Sequence, residues 1–492
     1  MNTYELLSSL KIKSIYGALP VEVHSIEQDS RKVKKESLFV CIRGFRSDGH
    51  SYYSQAIHNG ATIIIAEEKL PIDLTKFALV IVKDTAKALA ILANKFYHYP
   101  SNKMTVYGVT GTNGKTTVTT LIKQLLEKNN QQAALLGTNG IDLLNESVES
   151  DNTTCDVLTN QKILHRVAEH GMGHIVMEIS SHGLAQGRQR GVNFDVVTFT
   201  NLSQDHLDYH KTMEQYGYTK GLLFAQLGNN LTEEKNVILN RDDPWYEIYN
   251  GMTPFEVISY GIYNEADFRA TNITYYEDHT CFTLGSPEGN FPVTTKLIGE
   301  FNVYNVVAAI ATVYSKTMIS VKTLVRSLAN IAHINGRMQK LDLEAPISIY
   351  IDYAHTPDAI EKVIASVQPF KQNRILLVVG TGGDRDESKR PIMAEKASVA
   401  DFVILTINDS RYEDSNAILT DMEQGMKHNN YICIPNRKAA ISLVIDKSEP
   451  GDIIIIAGKG LEKYQITEDK KHPHSDKEIA IRNCSIKYNL SV

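Results

Sequence analysis

GVTGTNGKTTVTTLIKQLLEK, residues 108–128, is the stretch from which the rest of the chain is read. A β-branched run, Thr105–Val109, leads into it and predicts a strand. A turn of Gly111, Thr112, Asn113 and Gly114 follows, and then Lys115, Thr116 and Thr117. Val118, Leu121, Ile122, Leu125 and Leu126 recur at helical spacing and predict one apolar helix face. Strand, glycine turn, Lys-Thr and helix is a geometry for holding a polyphosphate. The glycines let backbone N–H groups approach phosphate oxygens, and the helix N-terminus adds partial positive charge. Lys115 can reach the terminal phosphates, and the Thr116 hydroxyl can ligate Mg²⁺. The longer form of this loop has a glycine six residues before the lysine, where this chain has Val109; the tighter G-T-N-G-K-T remains. An ordinary glycine-rich turn is the plainer reading, and the Lys-Thr pair with its helix disfavours it. The stretch predicts a nucleoside triphosphate site.

Length suggests about three domains at ~150 residues each. Hydrophobic content of 42% and charged content of 22% are those of an ordinary globular protein. The net charge of −6 has no strong sign, and no basic run is present to read a phosphate backbone, so nucleic acid is excluded as the expected partner. The scattered Cys41, Cys155, Cys281, Cys433 and Cys484 form no metal-ligand spacing and read as reduced thiols. The N-terminal segment lacks a hydrophobic signal core, and runs such as Ile453–Ala457 are too short to span a bilayer. The expected location is the cytoplasm, without membrane insertion.

Three α/β domains are expected: 1–103, 104–338 and 339–492. The first alternates short β-runs (Leu38–Ile42, Ala61–Ala66, Ala78–Val82) with polar turns and ends in a helical pattern at Ala86–Tyr97. The second repeats strand and helix (Ala133–Leu136, His174–Ser180, Asp195–Asn201), which predicts a mostly parallel sheet with the phosphate loop at its first crossover. The third repeats the pattern at Ile347–Tyr353, Arg374–Val379, Phe402–Thr406 and Asp452–Ala457. Each of these strands delivers a polar cluster at its carboxyl end: Asp352, Asp384–Asp386, Asn408–Arg411 and Gly458–Glu462. Open α/β sheets bind ligands at that edge.

Four clusters in the middle carry further chemistry. Glu178 lies within an apolar strand, so its charge must be paired or bind a metal; a lysine or arginine partner is an equal alternative. TNLSQDHLDYH places Asp205, His206, Asp208 and His210 after a strand, a density of metal-capable groups. Lys220 falls on a predicted helix, Met213–Leu227, where a lysine is normally solvated. Asn152, Thr153 and Thr154 form a hydroxyl-rich turn that could bind a sugar or an anion, or cap a helix.

Taken together, G-T-N-G-K-T, E-I-S-S-H-G-L, N-L-S-Q-D-H-L-D-Y-H, Lys220, G-E-F-N-x-x-N, N-G-R and D-Y-A-H-T-P-D resemble the Mur ligases over essentially the whole chain. These are ATP-dependent amide-forming enzymes of peptidoglycan precursor synthesis, and the likeness is greatest to those adding the third amino acid. The resemblance implies a UDP-binding first domain, a central P-loop domain and a Rossmann-like ligase domain. It implies ATP contacts at Gly111, Thr112, Asn113, Gly114, Lys115, Thr116, Thr117, Asn302, Arg337 and Asp352. Two Mg²⁺ ions would be held by Thr116, Glu178, His206 and a Lys220 carbamylated by CO₂, with Lys115, Lys220 and His206 as the catalytic set. Ser30, Asn152, Thr153, Thr154, Ser180, Gln186 and Arg188 would take a UDP-MurNAc-dipeptide. Cys155 departs from the family's proline, which predicts a less rigid turn.

The diamino acid would contact Arg385, Asn408, Asp409, Ser410, Arg411, Gly458 and Glu462. Diaminopimelate-adding members carry D-N-P-R, whose arginine binds the distal carboxylate; here the match is N-D-S-R. The arginine is kept while the three residues before it depart. An Arg fork suits a carboxylate and an acid such as Glu462 suits the distal ammonium, which favours meso-diaminopimelate. The alternatives are L-lysine or another diamino acid on the same scaffold, a folate-polyglutamylating ligase, and a non-catalytic P-loop module. A monomer is the expected assembly.

Overall fold

The computed structural model describes residues 1–44, 47–143, 146–148, 152–331 and 334–490. The chain divides into two compact units, Met1–Gly108 with Gln131–Asp195, and Val109–Asn130 with Val196–Val492.

The first unit begins with a sheet whose strands lie in the order Ile12–Tyr16, Ala78–Val82, Ala61–Ala66, Ser37–Val40 and Ser25–Glu27. Side chains alternate between two faces of this sheet. Leu38, Val40, Ile63, Ile65, Val80 and Val82 pack on one side, and Phe39, Ile64, Ala66, Leu79 and Ile81 on the other. Apolar residues at both parities are what a strand buried on two faces requires. The same unit holds His174–Glu178 parallel to Ala133–Gly137, extended antiparallel by Gly140–Leu143 and Glu146–Val148.

The strand Thr105–Thr110 passes into the second unit after Gly108, and the helix Lys115–Lys128 buries Val118, Leu121, Ile122, Leu125 and Leu126, the face expected from its spacing. This helix packs on Glu300–Tyr314. Val196–Phe199, Asn236–Asn240, Val257–Gly261 and Phe268–Tyr275 run parallel. Thr280–Ser286 and Gly289–Thr295 then add an antiparallel meander that the strand–helix repeat did not anticipate. Its alternating burial and short turns follow a period of two, whereas the expectation rested on long apolar runs.

The remaining sheet has the order Gln339–Lys340, Ser348–Asp352, Ile453–Ala457, Ile375–Thr381, Phe402–Ile407 and Tyr431–Cys433, parallel except at its first pair. Tyr350, Leu377, Val379, Val403 and Ile455 face one helix layer, while Ile351, Leu376, Val378, Ile404 and Ile456 face the other. Both faces are covered, so the carboxyl edge is where polar residues can gather. A two-stranded hairpin, Tyr464–Thr467 with Lys470–Pro473, was not expected.

Candidate active site

In the phosphate loop, Gly111 has φ +150° and a Cβ there would lie 1.8 Å from Thr200 Oγ1; Gly114 has φ +86° and its Cβ would lie 2.4 Å from Asn305 Oδ1. Only glycine fits either place. Thr112 N–H donates to Asn201 O and Asn113 N–H to Asn201 Oδ1, so Asn201 shapes the turn. Lys115 Nζ donates to Gly111 O (2.9 Å) and Thr112 O (2.8 Å), which folds the side chain back over the loop. Lys220 Nζ donates to the same Gly111 carbonyl at 2.8 Å.

Lys220 is not the solvated lysine that its helical position suggests, because it is only 1% exposed and lies over the Tyr216 ring. Burial first, and the neighbouring Lys115 second, hold its amine well below the usual lysine range, with Asp205 opposing. A buried amine beside a second cation is therefore neutral far more readily than a surface lysine.

Lys389 and His355 were absent from the expected site set, and Asp205 entered it only among the metal-capable groups of TNLSQDHLDYH. Asp205 is buried and pairs with Lys389 Nζ at 3.2 Å, with His206 Nε2 at 3.4 Å and with His355 Nε2 at 3.7 Å. Burial would raise this carboxyl, but the His355 hydrogen bond and the charges of Lys389 and His206 hold it well below the usual carboxylate range. Asp205 also accepts from the His206 backbone N–H, and His206 has φ +55°. A signal for these residues existed. His355 lies inside D-Y-A-H-T-P-D, and Lys389 follows the acidic cluster Asp384–Asp386.

Arg337 Nη2 donates to Thr116 Oγ1 at 3.0 Å, and its guanidinium lies over the Tyr353 ring. Asp352 accepts from Met338 N–H and Ala354 N–H; burial raises its carboxyl, with Arg337 opposing. Asn302 donates to Ile298 O and accepts from Asn305. The structure thus brings Lys115, Lys220 and the loop together, and Thr116 together with Arg337.

At the carboxyl edge of the last sheet, Asn408 and Asp409 are engaged by the protein itself. Asn408 Oδ1 accepts from Arg437 and its Nδ2 donates to Gly380 O. Asp409 Oδ1 accepts from Lys459 Nζ (2.9 Å) and Ile466 N–H (2.7 Å). Glu462 pairs with Lys459 at 2.6 Å and accepts from Tyr353 OH. Ser410 lends its carbonyl to Glu413 N–H, and Gly458 N–H donates to Asp352 O. Arg411, with φ +52°, has a buried Nε without a hydrogen-bond partner among the described residues. Arg385 is held below the usual arginine value by burial and then by Arg411, with Asp208, Asp205 and Asp409 opposing.

The first unit gathers a second set. Glu178 accepts from Thr138 N–H (3.1 Å) and Thr138 Oγ1 (3.0 Å), and Thr138 Oγ1 lies 3.1 Å from Thr153 Oγ1. A Cβ at Gly137 would sit 2.2 Å from Glu178 Oε1, so the carboxylate fits only beside a glycine. Thr154 Oγ1 donates to Glu178 O and contacts Ser180, while Arg188 donates to Thr154 O and to Gln186 Oε1. Asn152 is exposed next to this turn. Ser30 is engaged elsewhere in the unit, donating to Gln55 Oε1 at 2.6 Å.

Cys155 does not leave its turn untethered. Asn160 Nδ2 donates to Cys155 O (3.0 Å) and to Arg188 O (2.9 Å), joining the threonine turn to the Gln186–Arg188 loop. An Asn160→Ala exchange strips both buried carbonyls of this donor. A loss of about 1–3 kcal/mol in urea-unfolding stability is expected; an unchanged midpoint would show the tether idle.

A phosphate loop, a buried lysine on its carbonyl, and an acid–histidine–lysine hub define a nucleotide-using α/β protein with chemistry at the loop. Comparison with known proteins makes this specific. The Mur ligase middle domain matches residues 109–313, the Mur ligase glutamate ligase domain 336–460 and the Mur ligase family catalytic domain 22–97. The chain is 56% identical over 487 residues to UDP-N-acetylmuramyl-tripeptide synthetase 2 of Oceanobacillus iheyensis, covering 99% of each. It is 43% identical to a UDP-N-acetylmuramoyl-L-alanyl-D-glutamate–2,6-diaminopimelate ligase of Bacillus cereus, covering 98% of each. It is 39% identical to the corresponding L-lysine ligase of Staphylococcus epidermidis, covering 98% of this chain and 97% of that one. A solved 2,6-diaminopimelate ligase structure superposes with TM-score 0.69 at 30% identity, covering 99% of each. The chain belongs to the Mur ligase family.

Proposed function

We propose that this protein is an ATP-dependent amide ligase of peptidoglycan precursor synthesis. It joins meso-diaminopimelate to the D-Glu γ-carboxylate of UDP-N-acetylmuramoyl-L-alanyl-D-glutamate. The full-length likeness to ligases of this step supports the reaction class. The observation that carries the amino-acid choice is Arg411, whose buried Nε has no hydrogen-bond partner among the described residues. A guanidinium with an open donor suits a carboxylate, and L-lysine has no distal carboxylate to offer it. The L-lysine ligase among the relatives keeps that amino acid as the second reading.

The γ-carboxylate attacks the ATP γ-phosphate, giving an acyl phosphate and ADP; the incoming amine then attacks the acyl carbon and phosphate leaves. Two anions meet in the first step, so positioning and charge neutralisation dominate. Lys115 leaves its loop carbonyls for the terminal phosphates. Asn302, Arg337 and Asp352 orient the nucleotide. Thr153, Thr154, Ser180, Gln186 and Arg188 hold the muramoyl-dipeptide, and Ser30 its uridine end. Residues 1–103, 104–338 and 339–492 divide the work between UDP-sugar, ATP and amino acid. We place the protein in the cytoplasm as a monomer; among the described residues no helix is long and apolar enough to cross a membrane.

Magnesium fits this donor set on one condition. Thr116 offers a hard oxygen donor, as does Glu178 in its own unit, and His206 a borderline nitrogen, but the ammonium of Lys220 would repel a cation. Among the described residues no group of three His, Cys, Asp or Glu side chains is arranged to hold a metal. The neutral amine of Lys220 can add to CO₂ with loss of a proton, and the resulting carbamate is an anionic ligand. Bound magnesium would supply charge neutralisation between carboxylate and phosphate.

Phosphate release measured with a panel of amino acids at fixed UDP-dipeptide tests the proposal, and turnover is expected with meso-diaminopimelate. Turnover with L-lysine alone overturns the amino-acid choice, and turnover with none overturns the ligase. An Arg411→Ala exchange is expected to weaken diaminopimelate use by about 2–3 kcal/mol in kcat/KM. An unchanged value would return Arg411 to the surface.

A further inference from the structure

Arg411 holds a left-handed backbone, φ +52°, which a residue with a side chain adopts only when its surroundings impose it. Its two backbone groups are held by the hairpin Tyr464–Thr467 with Lys470–Pro473. Arg411 N–H donates to Ile466 O (3.2 Å), and Glu468 N–H donates to Arg411 O (2.8 Å), so both backbone groups of Arg411 pair with residues flanking Thr467. Gln465 Nε2 donates to Ile407 O (3.1 Å) and Asn408 O (2.8 Å), and Ile466 N–H to Asp409 Oδ1. The hairpin's own sheet has only these two strands, and its residues are half-buried or exposed. Such a unit has little stability of its own and keeps its place through these bonds.

The side chains of Asn408 and Asp409 are held by Arg437, Lys459 and Ile466, which fixes the segment that leads into Arg411. From this we infer that the hairpin is the positioning element that aims Arg411 and thereby sets which diamino acid the enzyme accepts. Gln465 reaches under this segment with its side chain, and Tyr412 OH donates to Asp469 at the hairpin's turn. The inference rests on the proposed ligase activity and extends it to a segment over fifty residues away in sequence.

Gln465→Ala removes two bonds beneath Arg411 without touching substrate. Gln465→Glu keeps the shape but loses the N–H donors. In the full-length enzyme both are expected to raise the KM for meso-diaminopimelate about tenfold, the equivalent of about one net hydrogen bond. The kcat and the KM values for ATP and UDP-MurNAc-dipeptide should stay within about twofold. An unmoved KM for the diamino acid overturns the inference, and so does a parallel shift of all three KM values, which would mark a general structural role. The wild-type panel is read separately. If wild type turns over only L-lysine, the reading of the amino acid fails, and the inference is judged on the L-lysine KM in the same variants. An unmoved value there overturns it as well.

Discussion

Exchanging Lys220 for alanine is expected to lower kcat by on the order of 10³-fold, the scale of losing a preorganised charge at the reacting phosphate. Lys220 is buried against Gly111 O beside Lys115, where the amine is held neutral more readily than on a surface. Only the neutral amine can take up CO₂. Lys220→Arg keeps a positive charge but cannot form a carbamate, and the guanidinium stays protonated, so it should be as inactive as alanine. Thermal unfolding of both variants separates lost chemistry from lost fold. Mass spectrometry of the wild type in bicarbonate should show a labile CO₂ adduct on Lys220, and stripping CO₂ should lower activity reversibly. Alanine retaining more than about a tenth of wild-type kcat would reduce Lys220 to a packing residue.

Breaking the Arg437–Asp476 pair should cost about 3–5 kcal/mol of stability, because the surviving charge stays buried. Both side chains are fully buried; Arg437 bridges Asp476 (2.6 Å), Asn408 and Ala457 O, and His474 adds a contact at 2.8 Å. Burial alone would raise the Asp476 carboxyl, but Arg437 and His474 hold it at about 2. A carboxyl depressed on folding stabilises the protein at pH above its unfolded value near 3.8, and that contribution is lost as pH falls through about 2. The difference corresponds to about 2 kcal/mol. Urea midpoints between pH 5 and pH 2 should therefore fall less steeply in Asp476→Asn than in wild type. Parallel slopes would show the pair uncoupled from acid unfolding.

Much of this was legible from the residues. The helix behind the phosphate loop was fixed by apolar spacing, and the last sheet by runs such as Ile453–Ala457, because local periodicity decides both. The antiparallel meander through Gly289–Thr295 was not legible, since its strands are only half apolar. Burial of Lys220 was hidden for a related reason, as helical position says which face a residue takes and nothing about what covers it. Asn408 and Asp409 could be aligned to a motif, yet their partners Arg437 and Lys459 lie 29 and 50 residues away. Side-chain partnerships across that span depend on the tertiary fold, so N-D-S-R could be aligned by motif but not assigned atom by atom.

In the proposed reaction, the Gly111 carbonyl that Lys115 and Lys220 share would have a kinetic consequence. A triphosphate that draws Lys115 onto its oxygens must first displace existing bonds to the loop, so part of its affinity is offset before chemistry begins. When the spent nucleotide departs, those bonds re-form, and the ammonium always has somewhere to go. On that reading the loop would favour release over tight retention, as suits a catalyst whose next cycle waits on an empty cradle.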